Sequence, residues 1–155
     1  MAIDRHDWHY NSATELYCEE TGKSEEQLVQ EDYSIIERRA AAHIGCFVRW
    51  LIMHDRLGTE NEPSEAAVAA VKNSTMTGTD FLMMQCDGKF IDDDVAEDTL
   101  PFVESCYDKY LEQYDSTVGQ AMRQRIYTFE ETDALYSIAE GLIDRLFEQY
   151  RKENR

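Results

Sequence analysis

The sequence predicts an all-α protein, a single-domain helical bundle of about five or six helices over residues 1–155. Apolar residues recur mostly at steps of three and four rather than two, which is the helical period. The dipeptide signals of β-hairpin turns are weak. Only two prolines and seven glycines interrupt the chain, and 43% of its residues are hydrophobic, so it can bury a core of its own.

The N-terminal part predicts two helices. A short helix covers about 12–18 and stops by Gly22, and Ser24 with the acidic residues after it resembles a new helix start. The first long helix runs from about 32 to 57, with Gly58 as its C-terminal cap. Its apolar stripe consists of Ile36, Ala40, Ile44, Phe47, Val48 and Leu51.

Two shorter helices are expected in the middle of the chain. Residues 63–65 open an alanine-rich helix. Thr79 and Asp80 are predicted to cap a second helix through residues 81–84, which ends in a turn at 87–88.

Two long helices are expected in the C-terminal part. The first covers 92–118, with Pro101 in its first turn or at a kink, and Gly119 permits a break after it. The last covers about 130–152, with acidic residues at its start and basic residues at its end, as the helix dipole favours. Its stripe consists of Leu135, Ile138, Ala139, Leu142, Ile143, Leu146, Phe147 and Tyr150. Several such stripes joined by short loops predict a bundle.

The charge balance indicates what the protein binds. Fifteen Lys and Arg against 32 Asp and Glu give a net charge of −17. A surface of that sign repels nucleic-acid phosphates and anionic lipids, so neither is an expected partner. It attracts basic proteins and speeds their association. The alternative is that the acidity only keeps the protein in solution.

The cysteines and the hydropathy pattern indicate the compartment. Cys18, Cys46, Cys86 and Cys106 are far apart and form no C-x-x-C pair, which favours free thiols. Cys46 and Cys106 lie in apolar helical patterns, where a thiol behaves as a small hydrophobic group. The chain begins with polar residues, and no run approaches 18 apolar residues. A reduced, cytoplasmic protein is therefore expected.

The four histidines provide no recognisable metal motif. His43 and His54 are eleven residues apart on one helix, about 16 Å along its axis, so they cannot share an ion. We therefore interpret His43 and His54, with Phe47 and Trp50, as a half-buried packing stripe. A metal site assembled from distant residues, for example His6 and His9 with carboxylates, is the less favoured interpretation.

No other segment carries a motif for cofactor binding or catalysis. The acidic segment from Asp87 to Asp94 departs from an EF-hand, because Gly88 follows the first Asp directly. Walker, G-x-G-x-x-G and G-x-S-x-G motifs do not occur in the sequence. We therefore assign no catalytic, cofactor-binding or metal residue from the sequence.

Three short motifs occur in a fixed order. They are Asp-Trp-His-Tyr at residues 7–10, His-Ile-Gly-x-Phe-x-x-Trp at 43–50, and Asp-Gly-Lys-Phe-x-Asp-Asp-Asp at 87–94, ahead of a helix with Tyr107, Tyr110 and Tyr114. Over residues 7–118 the set resembles a family of small bacterial proteins classed as a domain of unknown function. The resemblance implies no chemistry and leaves the last helix outside it.

Packing is the favoured explanation of these motifs, and a binding pocket is the alternative. Trp8 is expected to seal one end of the bundle, and Gly45 to let another helix approach His43 and Phe47. Phe90 is expected to anchor the loop before the acidic helix.

The function expected from these features is non-catalytic protein binding, specifically that of an immunity protein that neutralises a basic bacterial toxin domain. Such an inhibitor needs a complementary surface and fast association rather than chemistry. The expected partner-binding residues are Glu19, Glu20, Glu25, Glu26, Asp87, Asp92, Asp93, Asp94, Glu97 and Asp98.

Two alternatives stay open. One is a metal-binding protein or enzyme that uses His6, His9, His43 or His54 with carboxylate side chains. The other is a nucleic-acid mimic or regulator of a basic host protein. Reversal of Asp92, Asp93 and Asp94 to Lys is expected to slow partner association without unfolding the chain.

Overall fold

A computed structural model describes residues 1–154 and confirms a mainly α-helical fold. Within these residues, six helices have eight residues or more. They are α1 (Tyr10–Thr21), α2 (Gln30–Met53), α3 (Glu65–Lys72), α4 (Gly78–Gln85), α5 (Leu100–Tyr114) and α6 (Asp133–Glu153). Short 3-10 turns lie at His6–Trp8, Glu25–Gln27 and Asp92–Asp94, and α5 continues through a π-helical turn at Asp115–Gly119 into Gln120–Met122.

The structure also contains a small sheet, which was not predicted from the helical periodicity of the sequence. Strand β1 (Ala2–Arg5) pairs antiparallel with β2 (Lys89–Ile91). The register of this pair shifts between Ala2 and Asp4. Strands of three or four residues from distant parts of the chain leave no alternating pattern long enough to recognise, which is why they were missed.

Helix α2 is the centre of the fold. Every residue from 40 to 52 is buried, because α2 is covered by neighbours on all sides. Helix α4 crosses it in very close contact: a Cβ at Gly45 would lie 2.5 Å from the backbone nitrogen of Thr79. This contact confirms that Gly45 lets another helix approach His43 and Phe47.

Helix α6 packs against α2 and α5 with the predicted apolar stripe. Leu135, Leu142 and Ile143 are fully buried, and the indole N–H of Trp50 donates to Asp144 at 2.9 Å. The helix begins at Asp133 rather than near 130, because the hydroxyl of Thr132 caps it by accepting from the amide of Leu135 at 3.1 Å.

Several predicted helix ends were wrong. Helix α2 ends at Met53, and Gly58 lies in the following loop, where its amide donates to the carbonyl of Asp94 at 2.8 Å. Thr77 rather than Thr79 caps α4. Helix α5 begins at Leu100 rather than at residue 92, and Pro101 lies in its first turn, one of the two positions expected for it.

The predictions at two glycines had different outcomes. Gly22 ends α1 in the left-handed conformation, with φ of 75°, as predicted. Gly119 keeps helical angles, and the chain turns instead at Arg123, with φ of 55°. Ser24 starts only a 3-10 turn, in which its amide donates to the side chain of Gln27 at 2.9 Å.

The aromatic motif residues divide between core and surface. Phe90 is fully buried, as expected, but on β2 rather than in a loop. Trp8 is 59% exposed, so it does not seal the bundle. The four cysteines are free thiols, with Cys46 and Cys106 buried as expected. Among residues 1–154, no helix combines the length and apolar character that a membrane crossing needs.

Candidate functional site

Two polar side chains from the N-terminal segment and one from α2 meet in the interior. Asp4 Oδ1 lies 2.7 Å from His9 Nε2, and Asp4 Oδ2 lies 3.1 Å from His43 Nε2. The two Nε2 atoms are 3.2 Å apart, and the imidazole rings meet edge to face. Asp4, His9 and His43 are called the DHH cluster below.

Each member of the DHH cluster is positioned by a different element. Asp4 is on β1, beside the register shift, and such irregularities turn a strand side chain toward a site. His9 follows the 3-10 turn His6–Trp8 and precedes α1. His43 is on the buried face of α2, where the hydroxyl of Tyr110 also donates to its carbonyl at 2.6 Å.

Two tyrosines form hydrogen bonds with members of the DHH cluster. The hydroxyl of Tyr107 donates to Asp4 Oδ2 at 2.8 Å, and Tyr127 Oη lies 2.5 Å from His9 Nδ1. Tyr127 comes from the segment between α5 and α6 and has φ of 69°, a conformation uncommon for a residue with a bulky side chain. These contacts fix the orientation of the carboxylate and of the His9 ring.

The electrostatics of the cluster favour ionised Asp4 and neutral His43. Burial alone would raise the pKa of Asp4, but hydrogen bonds from His43 and His9 outweigh it and hold the pKa well below its usual range. Burial lowers the pKa of His43. Burial next to Asp4 also raises the pKa of Tyr107 well above its ordinary value, so its hydroxyl stays a donor.

The chemistry available to the DHH cluster follows from these groups. Two imidazole nitrogens and a carboxylate oxygen are ligands of first-row transition metals. Within residues 1–154, these are the three side chains close enough together to hold an ion. His6 and His54 do not join them: His6 contacts the carbonyl of Gly88, and His54 contacts Glu140.

Sequence reasoning found only part of this cluster. His9 was named as a candidate ligand, and His43 was assigned to packing but kept in the metal-binding alternative, whereas Asp4 was not considered. The packing interpretation holds for Phe47 and Trp50, which are buried, and for His54, whose ring stacks on Trp50 with the centroids 4.6 Å apart and whose side chain is 35% exposed. The Asp-Trp-His motif at residues 7–9 was the available signal for His9, whereas no local pattern distinguishes Asp4.

The predicted partner-binding residues form two groups. Glu19 and Glu20 end α1, and Glu25 and Glu26 lie in the next 3-10 turn; all four are exposed. Glu20 pairs with Arg39 at 2.7 Å, and Glu19 lies 3.8 Å from Arg125.

The second group surrounds β2 and the turn after it. Asp87, Asp93, Glu97 and Asp98 are exposed, and Asp92 is half-buried beside the amino group of Met1. Asp94 instead points inward. Its side chain accepts hydrogen bonds from the amide of Ile91 and the side chain of Asn61, both at 2.9 Å. Its replacement by Lys would therefore disturb the fold, which removes it from the proposed charge-reversal test.

A groove with acidic walls lies next to this second group. Its volume is about 370 Å³, and it runs between the loop after α2 and the segment before α5. Leu57, Val95 and Leu100 supply apolar surface, and Glu60, Asp93 and Glu97 supply carboxylates. The groove that these residues line is called the acidic groove below. It could not be predicted from the sequence, because its two sides are far apart in the chain.

The fold and its sites define a small, acidic, mainly α-helical protein with a buried histidine–carboxylate cluster. The chain belongs to the family described as Domain of unknown function (DUF7832), whose model matches residues 2–129. That match includes the DHH cluster and the acidic groove and stops before α6. No curated protein and no solved structure matches the chain significantly.

Proposed function

We propose that this chain is a non-catalytic interaction protein that binds a basic protein partner through the acidic groove, and that it acts as an immunity protein against a toxin domain. The observation that carries the proposal is the combination of carboxylates and apolar surface in one groove. A Lys or Arg side chain has an apolar stem and a charged end, so it matches both kinds of lining.

Three of the four carboxylates in the groove are not neutralised within residues 1–154, and the fourth, Asp92, contacts the amino group of Met1 at 2.8 Å. Glu60, Asp93 and Glu97 form no ion pair with another described residue. Most basic side chains are engaged elsewhere: within residues 1–154, nine lie within 4.0 Å of a carboxylate. They are Arg5, Lys23, Arg38, Arg39, Arg49, Lys72, Lys89, Arg125 and Lys152.

The uncompensated charge also favours rapid binding. A net charge of −17 produces a long-range field that concentrates a basic partner near the surface. Neutralisation of a toxin requires that its inhibitor bind before damage occurs, so fast association suits this role. A basic host protein would be attracted by the same field and is the other partner that the groove could accept.

A charge-reversal pair tests the proposal. The tagged protein is used to capture partners from the native organism's lysate at low and moderate salt, and the association rate of the recovered partner is then measured. The variant E60K/D93K/E97K is expected to slow association by roughly tenfold or more at low salt, and the difference should shrink as salt increases.

The matched control is E104K/D108K/E112K, which makes the same charge change on the exposed face of α5. A partner that binds both variants equally fast does not use the groove, and the proposed binding surface would then be wrong. The immunity role is tested separately. A toxin partner should stop cell growth when expressed alone, and co-expression of this chain should restore growth. A partner that is harmless alone would favour the host-protein alternative.

A further inference from the structure

We infer that Asp4, His9 and His43 bind one divalent first-row transition-metal ion such as Zn²⁺. This inference does not depend on the acidic groove or on its partner. It rests on the geometry of the DHH cluster, the residues that support it, and the charge balance around Asp4.

The donor atoms have nearly the separation that a metal requires. In a tetrahedral zinc site with bonds of about 2.0–2.1 Å, neighbouring ligand atoms lie about 3.3–3.4 Å apart. The Nε2 atoms of His9 and His43 are 3.2 Å apart, and the contacts with Asp4 measure 2.7 and 3.1 Å. A shift of a few tenths of an ångström in the Asp4 side chain would place an ion between the three groups.

The hydrogen bonds around His9 and Asp4 are those of a metal-ligand set, whereas Nδ1 of His43 is buried without a hydrogen-bond partner. A histidine that ligates a metal usually donates its other ring N–H to an oxygen, which leaves the ligating nitrogen deprotonated. Tyr127 Oη can accept from His9 Nδ1 at 2.5 Å and leave Nε2 directed at the cluster. Tyr107 holds the carboxylate of Asp4 in the same way, by donating to Oδ2 at 2.8 Å.

Hydrogen bonds satisfy Asp4, which also accepts from the amide of Arg5 at 2.8 Å, but they leave the two imidazole nitrogens in conflict. If both Nε2 atoms carry protons in order to donate to Asp4, two donors lie 3.2 Å apart and repel each other. If either nitrogen is bare, its lone pair faces a carboxylate oxygen. Asp4 is 2% exposed, and its ion-pair contacts among the described residues are the two imidazoles, without Lys or Arg. A cation between the three groups removes both difficulties.

The site also has a route for entry. The side chains of Asp4 and His43 are at most 2% exposed, but that of His9 is 17% exposed. An ion can therefore reach the cluster on the His9 side with only local movement of His9 and Tyr127. Because His9 precedes α1 and His43 is on α2, a bound ion would connect the N-terminal segment to the centre of the fold.

Metal binding by purified wild-type protein and by variants tests the inference. Untagged protein is stripped with a chelator and titrated with Zn²⁺ and with Co²⁺, whose visible spectrum reports its ligands and geometry. Wild-type protein is expected to bind one equivalent and to melt at a higher temperature with Zn²⁺. H9Q should bind roughly 100-fold more weakly or worse, since loss of an outer-shell partner alone weakens binding by roughly 10–100-fold.

Two further variants separate metal binding from general damage to the fold. D4N preserves the shape of Asp4 and should lose binding while it stays folded. H54Q changes a histidine just after α2, outside the cluster, and should bind like wild-type protein. The inference is overturned if folded wild-type protein binds neither ion, which would make the cluster a hydrogen-bonded network. It is also overturned if H9Q and D4N bind as tightly as H54Q, since the ion would then be adventitious.

Discussion

Glu131 caps the first turn of α4 through Thr79. Its Oε1 accepts from the amide and the hydroxyl of Thr79 at 2.7 and 2.8 Å. The other oxygen accepts from the amide of Gly78 at 2.9 Å and from Arg49 at 3.2 Å. The side chain of Glu131 is fully buried, so a carboxylate from the segment before α6 joins α4 to the centre of α2.

Replacement of Glu131 should therefore destabilise the whole fold. E131A leaves the amides of Gly78 and Thr79 without their acceptor and removes the buried carboxylate that pairs with Arg49, and the loss of one partner of a buried ion pair costs about 3–5 kcal/mol. Urea denaturation followed by circular dichroism measures the change. D133A is the matched control, because Asp133 also contacts Arg49 but is 74% exposed. It should cost no more than about 1 kcal/mol, and similar losses for the two variants would contradict the assigned role of Glu131.

A pair of glycine substitutions tests the close contact between α2 and α4. In G45A the new methyl group would lie 2.3 Å from Thr79 Oγ1 and 2.5 Å from its backbone nitrogen, so the helices must separate. We expect a loss of about 2 kcal/mol or more in the free energy of unfolding, as for overpacked cores. In G141A the nearest atom to the new methyl group is 3.8 Å away, and Ala should stabilise α6 by about 0.5–1 kcal/mol. Equal effects at the two positions would show that the helices do not pack this closely.

The buried face of α6 provides a third test. Leu142 is fully buried in the core. L142A should lower the free energy of unfolding by about 2–5 kcal/mol because it leaves a cavity. I138A, at a partly buried position on the same helix, should cost less. This ranking, measured by thermal or urea denaturation, checks that α6 belongs to the core even though the family match stops before it. A small effect at both positions would indicate that α6 is dispensable.

The ion pair between Asp32 and Lys23 should make the free energy of unfolding depend on pH in the acidic range. Hydrogen bonds from the Tyr17 hydroxyl, the Val29 amide and Lys23 lower the pKa of Asp32 to about 2, below the value of about 3.9 for an unfolded chain. A lowered pKa adds stability above the unfolded value, and that stability is lost as the pH falls toward the folded value. The difference in the free energy of unfolding between wild-type protein and D32N should therefore be largest above about pH 4 and decrease as the pH falls toward 2. A difference that stays constant over this range would contradict the role of Asp32.

Features encoded by neighbouring residues could be predicted from the sequence. The stripe of α6 and the Gly22 end of α1 depend on spacings of three or four residues and on one backbone conformation, so local sequence is enough. Local sequence did not predict the small sheet, the start of α5 or the end of α2. They depend on contacts such as β1 with β2 and Gly58 with Asp94.

Membership of a domain-of-unknown-function family was also predicted from the sequence, from three ordered motifs, and the family model matches residues 2–129. The net charge of −17 was equally a property of composition alone. The arrangement of that charge was not: Asp94 is buried and Asp93 is exposed because they lie on different sides of the 3-10 turn, and Glu97 is exposed in the segment after it.

The DHH cluster was decided only by the tertiary structure. Asp4, His9 and His43 belong to a strand, a turn and a helix, and no spacing in the sequence brings their donor atoms within 3.2 Å. The sequence determined which ligand-forming side chains the chain possesses and which segments are helical. Packing of β1 and the N-terminal turn against α2 decided which of those side chains meet, because a cluster of distant residues forms only when the core around it closes.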